Sequence, residues 1–74
     1  MTIKSLGAKL REKYLHAPKG EKVTMIHLFA IESAQEIIDS GVSAKAIVAE
    51  AGINDSYATE VSKGVKLSKY VRVN

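Results

Sequence analysis

The chain has 74 residues, no cysteine, 46% hydrophobic residues and a formal net charge of +3. That length suffices for one domain, residues 1–74, with a thin core that a second copy would reinforce, and the absence of cysteine excludes disulfides and thiolate metal sites. No stretch reaches the roughly 18 apolar residues of a membrane span, and residues 1–10 lack the apolar run of a secretory signal. The expectation is a soluble, cytoplasmic, globular protein. The charge is unevenly spread. Residues 1–22 carry six basic and two acidic residues, residues 23–62 set Lys45 against six acids, and residues 63–74 hold Lys63, Lys66, Lys69 and Arg72 without an acid. Basic ends around an acidic middle point to a polyanionic partner met by the ends; solvated surface lysines are the plain alternative.

Pro18, Gly20, Gly41, Gly52 and Gly64 divide the chain into four segments of helical length and a short tail. In the first segment Ile3, Leu6, Leu10 and Tyr14 recur at steps of three and four and share one helical face. Thr2 is placed to cap it and Pro18 to end it. The second segment, about 21–40, reads as one helix with a stripe of Val23, Ile26, Ala30, Ala34 and Ile37, widened by Ile31 and Ile38. Met25, Leu28 and Phe29 fall on its other side, so its first half must be covered all round, by the first helix or by a partner chain. Gly41 suits the left-handed residue that ends it.

Ser43 caps a third helix over 44–51. A fourth starts near Asn54 or Asp55 and runs to Lys63, with Gly64 as its stop. The tail from Val65 ends in Tyr70-Val71-Arg72-Val73-Asn74, whose alternation has the period of a strand. A lone strand has no partner, so it would pair with another chain or cross the helices as extended coil. The expected fold is all-α, a small four-helix domain with a C-terminal helix-turn-helix and a short extended tail.

The third and fourth helices are separated only by Gly52, Ile53 and Asn54. Ile47, Val48 and Ala51 face inward on the first of the pair. Glycine favours the left-handed turn, and Ala58 and Val61 anchor the inner face of the second. The stretch AKAIVAEAGINDSYATEVSKG, residues 44–64, resembles the helix-turn-helix of the lambda-repressor and Cro-like DNA-binding proteins. It has Val48 where that family usually has Ala, and Ala58 where it has a larger aliphatic residue. The resemblance implies a recognition helix over about 55–63 whose outer face enters the major groove of double-stranded DNA. Asn54, Asp55, Ser56, Thr59, Glu60 and Lys63 would then face the groove, with Tyr57 at the edge. Asn54, Ser56 and Thr59 suit base edges or phosphates, and Glu60 suits cytosine N4, although Asp55 and Glu60 also repel phosphates. Lys63, Lys66, Lys69 and Arg72 would grip the backbone. Lys4, Lys9, Arg11 and Lys13 would help if the first helix lay on the same side.

The other polar residues read as ordinary. His16 and His27 complete no metal spacing. Glu32, Glu36 and Asp39 form a solvated face rather than a catalytic pair. There is no phosphate-cradling glycine loop and no triad-like set, so neither an enzyme, a cofactor, a metal nor a small-molecule effector is expected. The reading is a DNA-binding transcriptional regulator of repressor type, acting as a homodimer. The alternative is a protein-interaction module that uses the helix-turn-helix for packing and presents its acidic outer face with Met25, Leu28 and Phe29 to a partner, a reading that the acids of the recognition helix favour; packing under the first helix is the other role open to those three.

Overall fold

The computed structural model describes residues 2–72, which are helical with no strand among them. Helix α1 spans Ile3–Leu15. Its N-cap Thr2 accepts a hydrogen bond from Ser5 N at 3.2 Å, which satisfies one of the amides left without an intrahelical partner. The three-and-four spacing of its apolar residues has the expected result: Leu6 and Leu10 are fully buried.

The expected helix over 21–40 is two helices, α2 (Lys22–Glu32) and α3 (Ala34–Ser40), and the described residues form five α-helices rather than four. The break is at Ser33, whose backbone at φ −103 and ψ 10 departs from helical geometry. Hydrogen bonds still cross it, from Ser33 N to Phe29 O and from Ile37 N to Ser33 O, both at 2.9 Å. Serine is a weak helix former in mid-helix because its hydroxyl competes for backbone partners. The buried stripe also differs from the expected one. Ile26, Phe29, Ala30, Ala34 and Ile37 are buried, whereas Val23 and Ile38, expected in the stripe, are 41% and 60% exposed. Phe29, expected on the far side, is fully buried and lines a groove shared with Ala8, Lys9 and Glu12 of α1. Packing beneath the first helix is therefore its role. Met25 and Leu28 are half-buried.

Gly41 ends α3 in the left-handed conformation, φ 70, as its position implied. Ser43 Oγ then accepts from Ala46 N at 3.1 Å and starts α4 (Ala44–Ala51). At the other end of α4, Gly52 is left-handed at φ 74. Ile53 N reaches Val48 O at 3.3 Å and Gly52 N reaches Ala49 O at 3.1 Å, the paired closure of a Schellman turn. Arg11 Nη1 donates to the Ala51 carbonyl at 3.0 Å, so a side chain of α1 satisfies a further carbonyl at this corner.

After the turn, Asn54 Oδ1 accepts from Ser56 N at 2.9 Å and opens a 3-10 turn over Asp55–Tyr57. This leads directly into α5, Ala58–Leu67. Gly64 does not stop this helix but lies inside it, buried against α2. A Cβ on Gly64 would collide with the Ala30 methyl and stand 2.9 Å from His27 O. The missing side chain is what allows α5 to approach α2 this closely. Gly7 plays the same part between α1 and α4, where a Cβ would meet Glu50 Cγ at 2.7 Å. Thus α4 lies mainly on α1 and α5 mainly on α2. One core joins Leu6 and Leu10 to Ile26 and Phe29, to Ile47 and Val48, and to Val61. The tail is not a strand in the described residues: Ser68–Tyr70 form a turn and Val71 and Arg72 are irregular. Its last two residues, 73 and 74, lie outside the described residues.

Candidate nucleic-acid interface

The geometry of α5 follows from what its inner face spends on packing. Val61 and Gly64 are buried and Ala58 and Val65 are partly so. Helical periodicity then fixes the opposite side. Thr59, Ser62, Lys63 and Lys66, at steps of three and four, share one face, and all four are exposed. Asp55 and Ser56, also exposed, stand at its start. The outer face thus combines two ammonium groups with three hydroxyls and one carboxylate. Ser62 was not among the expected groove-facing residues, although its spacing from Thr59 and Lys66 places it there.

Two expected members of that face have internal partners instead. Glu60 lies at its inner margin, with its side chain 18% exposed. His27 Nε2 of α2 and Lys63 Nζ each approach Glu60 Oε1 at 3.3 Å. Desolvation opposes the Glu60 charge, but the hydrogen bonds and charges of Lys63 and His27 together outweigh it and hold the carboxyl below the ordinary glutamate value. Glu60 is therefore ionised at neutral pH and has two donors of its own. Tyr57 is half-buried, with its ring edge-on to Tyr14 at a centroid distance of 5.4 Å. The Tyr14 hydroxyl beside it, and then burial, push its phenol above the usual value against the opposing pull of Lys22. Lys22 Nζ itself sits 4.2 Å above the Tyr14 ring and donates to the Tyr14 carbonyl at 3.2 Å.

Asn54 is exposed, and its side-chain oxygen serves as the cap on Ser56 N, which leaves its NH₂ group and one oxygen lone pair for an outside partner. Lys66, Lys69 and Arg72 are exposed at and beyond the end of α5. The cations of α1 do not all join them. Lys13 pairs with Glu32 at 3.1 Å and Arg11 is engaged at the Ala51 carbonyl. No sequence signal pairs Glu60 with His27, which stand 33 residues apart.

Among the described residues five α-helices and no strand make this a small all-helical protein. A family model described as an HTH-like domain matches residues 2–74, and the chain belongs to that family. No curated protein and no solved structure matches it. Among the described residues no helix is long and apolar enough to cross a membrane.

Proposed function

We propose that this protein binds double-stranded DNA and regulates transcription, with α4 and α5 as the two helices of the motif and α5 in the major groove, in the manner of the lambda-repressor and Cro-like proteins. One observation carries the reading. The inner face of α5 is taken up by α2, while its outer face leaves Thr59, Ser62, Lys63 and Lys66 exposed together. Ten residues at about 1.5 Å rise give a rod of about 15 Å, enough to cross a groove about 12 Å wide. Serine and threonine hydroxyls can donate to or accept from base edges, and the two lysines supply phosphate contacts. The inward engagement of Glu60 answers part of the charge objection raised by the sequence, because His27 and Lys63 partner that carboxylate, while Asp55 stays exposed at the start of the face.

Two copies on a palindromic site, each supplying one α5, would give the affinity that a single short helix lacks. An intracellular location follows from the ligand. Complete burial of Phe29 takes one of the three apolar residues from the surface that a protein-interaction role would use.

Fluorescence anisotropy with random and selected duplexes at two salt concentrations tests the reading. Binding should weaken with salt. Lys66→Gln should reduce the slope of log K against log salt by about 0.9, and Lys63→Gln by less, because Lys63 also pairs with Glu60. No binding even at low salt would remove the proposal.

A further inference from the structure

Beside the outer face of α5 lies a second feature that phosphate grip and base reading do not use. His27 of α2, Lys63, Lys66 and Leu67 of α5, and Tyr70 line an open groove of about 270 Å³ with apolar walls. Leu67 is 41% exposed and Tyr70 is 83% exposed. An aromatic ring this exposed is not explained by the core. Nor is it loosely held at its backbone: Tyr70 N donates to Leu67 O at 2.9 Å and Val71 N to the same carbonyl at 3.0 Å, which fixes the turn that presents the ring.

We infer that Tyr70, with Leu67, is a DNA-contacting element that packs on the deoxyribose of the strand bordering the groove entered by α5; the inference rests on duplex DNA being the ligand. Charge selects this occupant. From Lys63 to Arg72 the chain contains no acid, Lys66, Lys69 and Arg72 surround Tyr70 in sequence, and Glu60, the carboxylate beside His27 and Lys63, is already partnered by both. An apolar strip set among cations matches a sugar–phosphate strand, which alternates carbon-rich rings with anions at regular spacing. On DNA the phenol ring covers a sugar while its hydroxyl donates to a phosphate oxygen, and Lys63 and Lys66, whose stems form the groove walls, reach the flanking phosphates. Tyr70 therefore contributes through area removed from water, and the lysines contribute through displaced counterions.

These two contributions separate by salt. Tyr70→Ala, Tyr70→Phe and Lys66→Gln are compared with the full chain by anisotropy on one 20-base-pair duplex at two salt concentrations. Tyr70→Ala should weaken binding about five- to tenfold at both concentrations with the slope unchanged, a loss set by the ring area it uncovers. Tyr70→Phe should lose less than about threefold, because the ring is kept. Lys66→Gln should change the slope. An unaltered melting temperature for Tyr70→Ala confirms that the fold is intact. Affinity equal to the unsubstituted protein overturns the inference while leaving α5 as the reader. Loss of self-association without loss of DNA affinity also overturns it and assigns the strip to a copy of the chain. If the unsubstituted protein binds no duplex at low salt, the DNA reading falls and this inference with it.

Discussion

Gly64→Ala should destabilise the protein, against the usual rule for a helix interior. Replacing glycine by alanine within a helix normally stabilises by about 0.8–1.0 kcal/mol. Here the new Cβ would strike the Ala30 methyl and lie 2.9 Å from His27 O and 3.3 Å from His27 Cα. The last two are backbone atoms and cannot swing aside, so α5 must shift off α2. Overpacking of this kind costs about 1–3 kcal/mol, and rigid neighbours favour the upper half of that range. The net loss is then about 1–2 kcal/mol, a large part of the roughly 4–11 kcal/mol expected for a chain of this size. At about 4–8 °C per kcal/mol the melting temperature should fall by roughly 5–15 °C. Thermal and urea unfolding followed by circular dichroism measure this, and a double-mutant cycle identifies the cause. Ala30→Gly in the Gly64→Ala background should show a coupling of at least about 0.5 kcal/mol, because it removes one of the colliding groups. A Gly64→Ala protein as stable as the parent, or a coupling of zero, would refute the close-packing explanation.

Gly52→Ala should cost about 1–2 kcal/mol, since a left-handed φ of 74 penalises a Cβ and the new methyl would meet Arg11 Nη1 at 2.9 Å. Gly52→Asn should cost less, and urea midpoints rank the two. Glu60→Gln tests the ion cluster through pH. The folded-state pKa of Glu60 is lowered, so its contribution is complete above the ordinary glutamate value of about 4.3 and is lost as pH falls through the lowered value. The stability gap between parent and Glu60→Gln should therefore narrow from pH 6 to pH 3 in urea titrations; a gap that widens on acidification contradicts the pairing. Arg11→Ala should lose about 1 kcal/mol with its bond to the Ala51 carbonyl, read from the same titrations.

Local signals were legible where local chemistry decides the outcome. Thr2, Gly41, Ser43 and Gly52 mark ends that their own side chains or left-handed backbones create, and each lies where the sequence placed it. The apolar spacing of α1 likewise led directly to Leu6 and Leu10 in the core. The failures are tertiary. Ser33 interrupts a pattern that is periodic across it, and the packing of α2 against α1 and α5, which spacing does not reveal, leaves Val23 exposed and Phe29 buried. Gly64 resembles a helix stop in sequence, but the residue that matters to it is Ala30, far away in the chain. A small residue three positions after Val61 on the inner face was the available clue. The same holds for the candidate interface. Thr59 and Lys63 came from the resemblance to the helix-turn-helix pattern, Lys66 was expected beyond the helix rather than on its face, and the inward engagement of Glu60 with His27 and of Tyr57 with Tyr14 depends on partners that spacing cannot reveal.

The central claim is that α5 turns a DNA-binding face outward while α2 holds its other side. Titrating a selected duplex into ¹⁵N-labelled protein and following backbone amide shifts tests it residue by residue. The account predicts that the largest changes fall on Ser56, Thr59, Ser62, Lys63 and Lys66, with Glu32, Gln35 and Asp39 unmoved. Changes concentrated on α3 or on the exposed side of α1, with α5 silent, would contradict it.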